Sequence, residues 1–247
     1  MGDEHTFTLD EGLVVRPLSG IEELRGACRI YREVFSYTGE DQGLNPRLLL
    51  SLTQHGGSVV GAVNSAGAVL AMAYGWTAVD QSPADPHVYH FSQAAVVAAS
   101  LQGKGVGRAM KKVQAAVAAS AGAARMRWTY DPLLSRNAHF NLDVLGARGR
   151  WFVQDAQGLP GTDRITVEWA LTDDARSTDS HTAPDSPTGG DTQELVIPAV
   201  KPLAGVDDEL IQQLRDRFQQ FFAAGYVAVS CRRLGEDQAV YEFRRPQ

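Results

Sequence analysis

Residues Gln102-Gly103-Lys104-Gly105-Val106-Gly107-Arg108-Ala109 put three glycines, two cations and a glutamine into eight positions. An apolar run, Val96 to Ala99, precedes them, and Met110 to Ala121 reads as a helix. A glycine-rich turn between strand and helix aims several backbone N–H groups and the positive end of the helix dipole at one spot, which is the chemistry of a phosphate site. Glycine is needed because side chains would block close approach of the backbone to the anion. Two familiar phosphate loops do not fit. A mononucleotide P-loop needs Ser or Thr after its Gly-Lys, and Gly103-Lys104 is followed by Gly105. In a dinucleotide loop the third glycine would fall at Arg108 or Met110, and the acidic ribose partner at Met126 or Arg127.

The pattern that does match is Q-x-x-G-x-G, as Gln102, Gly105 and Gly107, with Val97 five residues before the glutamine. It resembles the coenzyme A diphosphate loop of the GNAT N-acyltransferase superfamily. A second block, Arg127 to Gly146, begins Arg127-Trp128-Thr129-Tyr130-Asp131-Pro132-Leu133 and resembles a subfamily of predicted GNAT acyltransferases with a W-T-[FY]-D-P-L segment. Ile197-Pro198-Ala199 and Phe222 to Tyr226 are similar to the same subfamily, so the resemblance spans most of the chain.

The resemblance implies an acyl-CoA N-acyltransferase that carries acetyl or another short acyl group, such as succinyl, from acetyl-CoA or another acyl-CoA directly to an amine. Its CoA contacts would be Gln102, Gly103, Lys104, Gly105, Val106, Gly107 and Arg108, with the pantetheine arm along Val97 and Ala99 and Asn137 close by. No covalent enzyme intermediate is implied, so a nucleophilic triad is not required. An amine must still lose a proton. Counting back from Val97 by twos places Gln93, Phe91 and Tyr89 on one face of the strand, with His90 and Ser92 on the other unless a bulge intervenes. Gln93 can hold a water, and His90 titrates in the right range. Tyr130, Asp131, Asn137, His139 and Asn141 are the further polar candidates for the reaction. Many superfamily members carry a tyrosine four residues before the helix-ending glycine, and here Leu142 stands there. The acceptor, a small-molecule amine, is expected beside Tyr37, Glu40 and Asp41. Arg127, Arg136 or Arg148 would suit a carboxylate on the acceptor. A different class stays open beside the enzyme, a catalytically silent acyl-CoA-binding module that regulates or scaffolds a partner.

Composition narrows the classes. The chain has 247 residues and a formal net charge of −6, which argues against nucleic-acid binding. Lys104, Arg108, Lys111 and Lys112 gather near the loop, although Lys111 and Lys112 read equally well as a solvated helix face. Cys28 and Cys231 are the only cysteines and read as buried free thiols. The histidines show no metal-ligand spacing, no apolar run reaches membrane-spanning length, and Met1 to Asp10 is acidic. A cytoplasmic protein without a metal or membrane is expected.

The elements that must position these residues follow from periodicity. Leu13 to Pro17 is a strand. Ser19 to Glu22 fits a capping box, with Glu22 reaching back to Ser19, and opens a helix with Ile21, Leu24, Cys28, Tyr31 and Val34 on one face. Asn45-Pro46 starts a second helix. Ser58 to Val63 and Ala68 to Val79 form a hairpin, and Val88 to Ala98 is a strand leading to the loop. Arg125 to Tyr130 alternates as a strand, Ser135 caps a helix ending at Gly146, and Arg148 to Gln154 pairs with Arg164 to Leu171. The predicted fold class is α/β (α+β), a GNAT-like, mixed and mostly antiparallel sheet flanked by helices over residues 13–171. Thr172 to Thr192 lacks large apolar residues and is expected to be a flexible linker. Residues 193–245 read as a strand, a helix over Asp207 to Ala224, and a hairpin. That unit is too small for a core of its own and would dock on the main sheet or pair with a second copy as a homodimer.

Overall fold

The computed structural model describes residues 5–9, 12–81, 86–172 and 191–246, with the Glu40 side chain left out. Most of the expected linker and of the Pro83 to His87 loop lies outside the described residues. The chain is a mixed α/β protein of mostly antiparallel β-structure flanked by helices, and it divides into two compact units, Met1–Met126 and Arg127–Gln247.

In the first unit the strands are β1 (Phe7–Thr8), β2 (Val14–Pro17), β3 (Ser58–Val63), β4 (Val69–Asp80) and β5 (His87–Val97), paired antiparallel in that order. Helices α1 (Gly20–Val34) and α2 (Pro46–Gln54) cover one face, around Leu24, Leu49, Met72, Tyr74 and Val96. Helix α3 (Val106–Ser120) covers the other, around Val15, Val60, Ala71, Met110 and Val113. The entry to α1 differs from the expected capping box. The backbone N–H of Ser19 donates to Glu23, not Glu22, at 2.9 Å. Glu23 also binds Arg16 on β2, while Glu22 pairs with Arg25 at the surface. One carboxylate thus joins strand to helix, an option that local spacing does not reveal.

The second unit holds β6 (Arg125–Tyr130), which carries the chain across the join, then α4 (Ser135–His139), β7 (Arg148–Val153), β8 (Arg164–Ala170), β9 (Thr192–Pro198), α5 (Asp208–Ala223), β10 (Val227–Leu234) and β11 (Gln238–Arg244). The strand order is β6-β8-β7-β10-β11-β9. Helix α5 lays Phe218 and Phe221 on Tyr241 and Phe243, all at most 4% exposed. α4 runs on as a π-helical turn, Phe140–Val144. That turn is fastened by Asn141, which accepts from Trp128 Nε1 at 2.8 Å, and by Asp143, which accepts from Ser230 Oγ at 2.6 Å and Cys231 N at 2.9 Å. Cys28 and Cys231 are free thiols, and burial pushes the Cys231 pKa up to about 12.

Candidate functional site

The loop between β5 and α3 is built by short local bonds. Ala98 N–H donates to Leu70 on β4 at 2.9 Å, so strand alternation turns the Val97 N–H away from β4. The chain then makes a 3₁₀ turn over Ala99–Leu101. Ala99 therefore does not extend the strand, which ends at Val97. Gln102 folds back and its Nε2 donates to the Val97 carbonyl at 3.4 Å, closing the turn. Gly103 and Gly105 both sit at φ +79, the left-handed region that favours glycine, and a Cβ on either would meet no atom within 4 Å. Gly105 is the N-cap of α3 and contributes no capping side chain. Buried Val106 and Met110 anchor the first turn beneath.

Hydrogen bonding within this turn leaves a surplus of donors. Lys104 N–H reaches the Leu101 carbonyl at 3.4 Å, and Ala109 N–H closes the first helical bond to Gly105 at 3.0 Å. The N–H groups of Gly103, Gly105, Val106, Gly107 and Arg108 have no acceptor among the described residues. Residues 102–105 and Arg108 are exposed, so these amides form an open, positively polarised nest with Lys104 and Arg108 beside it. The donor set fits a diphosphate such as that of coenzyme A. A pocket of about 540 Å³ opens beside Lys104, lined by Leu9, Leu13, Leu70, Leu101 and Val106.

A bulge interrupts β5 just before the loop. Tyr74 pairs with Ala94 and Gly75 with Ser92, leaving Gln93 without a partner on β4. This extra residue reverses the alternation. His90 and Ser92 consequently share the α3 face with Val97, whereas Phe91 lies on the α1 face against Trp76, with ring centroids 5.5 Å apart. The plain count by twos is corrected at this point. Gln93 is exposed, and His90 is completely buried. Ser58 Oγ and His90 Nε2 lie 2.9 Å apart. Burial, with Lys111 nearby, pushes the His90 pKa down to about 4. His90 thus lies inside its unit beside Ser58, and not at the surface.

Lys111 is also placed differently from either expectation, since it is 5% exposed and belongs neither to the nest nor to a solvated face. It lies on a stripe with Gln114 and Ala118, all three buried, and that helical spacing was the available signal. Lys112 stays at the surface.

The region expected to receive the acceptor carries an aromatic group. Tyr31 packs on Phe35, Tyr37 and Tyr74 with centroids 4.9, 5.8 and 6.3 Å apart. Burial pushes the Tyr74 pKa up to about 12. Tyr37 is part of this group, and Asp41 sits in a 3₁₀ turn, Glu40–Gln42, held by Arg32 donating to the Gly39 carbonyl at 2.8 Å. The neighbouring hollow of about 480 Å³ is lined by Cys28, Arg29, Arg32 and residues 43–46, so the charged groups among its described side chains are the cations Arg29 and Arg32.

In the second unit Tyr130 and Asp131 have partners within the fold. Tyr130 is 5% exposed, and Tyr241 Oη lies 3.3 Å from its hydroxyl and donates to the Pro132 carbonyl at 2.8 Å. Burial holds the Tyr130 pKa well above that of a free phenol. Asp131 accepts from Leu133 N at 2.9 Å and pairs with Lys201. Asn137 is exposed on α4. Arg127 is committed to Glu168 at 2.6 Å and to the Trp151 ring. Among the described residues no group of three or more His, Cys, Asp or Glu is arranged to hold a metal, and no helix is long and apolar enough to cross a membrane.

No family model and no curated protein matches the chain. Solved structures do share its fold. One is an acetyltransferase of the GNAT family from Desulfovibrio desulfuricans, 15% identical, covering 65% of this chain and 99% of its own with a TM-score of 0.51. Another is a ribosomal-protein-S5-alanine acetyltransferase from Vibrio fischeri, 14% identical, covering 68% and 97% with a TM-score of 0.54. At these identities the likeness is one of fold, and the fold is that of GNAT acetyltransferases.

Proposed function

We propose that this chain is a GNAT-superfamily acyltransferase. It takes acetyl-CoA or another short acyl-CoA and passes the acyl group directly to an amine of a small molecule. The observation that carries this reading is the nest of acceptor-less amides at Gly103 and Gly105 to Arg108, set at the start of α3 and directly after a bulged strand. Those amides would bind the diphosphate, with Lys104 and Arg108 adding charge. Acyl-CoA supplies the activated thioester. The Val97 N–H, turned away from β4, would polarise a thioester carbonyl laid along that strand. Gln93 would hold the water that takes the amine's proton. Tyr37 and Asp41 stay as candidate acceptor contacts, now joined by Arg29 and Arg32 for an acceptor that also carries an anion. In this reading residues 13–171 are the acyltransferase region and 193–245 an appended strand, helix and hairpin.

One observation favours a second reading, a CoA-binding module without turnover. Leu142 is 1% exposed in the core, so no phenol is offered as a proton donor at that position. A thiol with a pKa of about 8.5 is acidic enough to leave unaided, which keeps the enzyme first. Calorimetry with CoA, followed by thiol release from acetyl-CoA and succinyl-CoA with a panel of amines, separates the two. Micromolar binding with turnover on small amines is expected. Binding without turnover selects the module, turnover on a peptide α-amine alone replaces the acceptor class, and no binding removes both readings.

A further inference from the structure

Five buried side chains form one hydrogen-bonded chain on the α3 face of the first unit. Lys111 Nζ donates to Ser92 Oγ at 2.8 Å, and Ser92 Oγ donates to Gln114 Oε1 at 2.8 Å. Gln114 Nε2 donates to Ser58 Oγ at 3.0 Å, and Ser58 Oγ lies 2.9 Å from His90 Nε2. The residues are at most 5% exposed. Ser92 accepts one bond and donates one, Ser58 accepts from Gln114, and the sense of the Ser58–His90 bond follows the imidazole tautomer.

Packing alone does not call for these groups. A lysine amine and an amide buried beneath a sheet are costly unless well bonded, and apolar residues of similar volume would fill the space. Their placement suggests another purpose. Lys111 and Gln114 belong to the helix whose first turn forms the nest, and Ser92 immediately precedes the bulged Gln93. The opposite strand is shaped to match. A Cβ on Gly75 would stand 2.2 Å from the Phe91 carbonyl oxygen and 2.7 Å from His90 Nε2, so only glycine lets β4 come this close below the bulge. Both Ser92 and His90 are thereby held on the α3 side, and the extra residue is confined to position 93.

We propose that Lys111, Gln114 and Ser92 are positioning residues, a polar strut by which α3 fixes the bulge of β5 and sets where Gln93 stands relative to the amide nest. The role in turnover rests on the acyltransferase reading; the strut itself does not. It explains why a lysine and a glutamine lie on the inner stripe of a helix that otherwise buries Val106, Ala109, Met110 and Val113.

The test uses the full chain and the variants Ser92→Ala, Lys111→Met and Ser92→Thr, each checked for an unchanged fold by thermal melting. Amide hydrogen exchange is read first. Gln93 and Ala94 should exchange about tenfold faster in Ser92→Ala and Lys111→Met, with the α3 amides from Met110 onward unchanged, and Ser92→Thr should restore protection by keeping the hydroxyl. CoA affinity should stay within about twofold while kcat falls roughly tenfold or more at constant KM, since misplacing a catalytic group acts on the chemical step. Unchanged exchange at Gln93, or acceleration shared equally by all core amides, overturns the strut. If the wild-type chain turns over no amine but the exchange pattern appears, the acyltransferase reading fails and the strut stands.

Discussion

Helices α3 and α4 begin in opposite ways. At α3 the residues before the helix are left-handed glycines with no capping side chain, and five N–H groups are left without an acceptor among the described residues. At α4 the chain supplies its own acceptors. Asp131 takes the Leu133 N–H on its carboxylate and the Leu134 N–H on its carbonyl, and Leu134 takes the N–H groups of Asn137 and Ala138. Ser135 Oγ, free of capping duty, donates to Ala199 at 2.8 Å. The first start leaves five such donors; at the second, Asp131 and Leu134 take four N–H groups, and only those of Ser135 and Arg136 have no acceptor among the described residues. Asp131 in the W-T-Y-D-P-L segment is engaged by Leu133 and Lys201, and in the proposed reading the anion binds at Gly103–Arg108.

The contrast can be broken by mutation. Gly105→Glu should have the largest effect, since it places a carboxylate against the diphosphate and forces a side chain into φ +79. CoA affinity should drop about a thousandfold, roughly 4 kcal/mol, by calorimetry. Retained affinity would mean that α3 is as closed to anions as α4.

The second effect is on stability and concerns what the helices bury. α4 and its π turn bury an amide, Asn141, whereas α3 buries an amine, Lys111, whose pKa burial pushes down from 10.5 to about 7. Between these values the unfolded chain holds the proton and the folded chain does not. Stability from this group therefore rises with pH, by up to about 3 kcal/mol from pH 7 to pH 10. Urea unfolding at the two pH values should show this gain in wild type, and Lys111→Met should lack it.

Third, Asp131→Ala should cost roughly 1–2 kcal/mol of stability by removing the clasp on Leu133, while CoA affinity stays within about twofold. A large loss of affinity would return Asp131 to the site. The smallest effect expected is for Gly105→Ala, whose Cβ meets open space, so that only backbone strain of about 1 kcal/mol remains, read as a slightly lower Tm. Gly105→Ala and Gly105→Glu together separate strain from charge.

The same contrast shows how far the residues alone could be read. The Gly103–Arg108 turn was legible because local chemistry dictates it, and so were the helix and strand order and the free thiols. The bulge at Gln93 was not, since it depends on Gly75 lying opposite Ser92, a pairing between strands that spacing along one strand does not encode. The face on which His90 lies was misread for that reason, and the place of Lys111 because its inner-stripe position shows only once Gln114 and Ala118 are seen to share it. Asp131 and Tyr130 offered catalytic residue types, but their partners Lys201 and Tyr241 lie 70 and 111 residues further along the chain.

The most direct measurement is an amide NMR titration of the full chain with CoA. The account predicts that the signals of Gly103 and Gly105 to Arg108 move together and saturate, while those of Leu133 to Ala138 at the start of α4 stay still. Saturable binding that leaves the α3 turn unperturbed, or that shifts the α4 start instead, would contradict it.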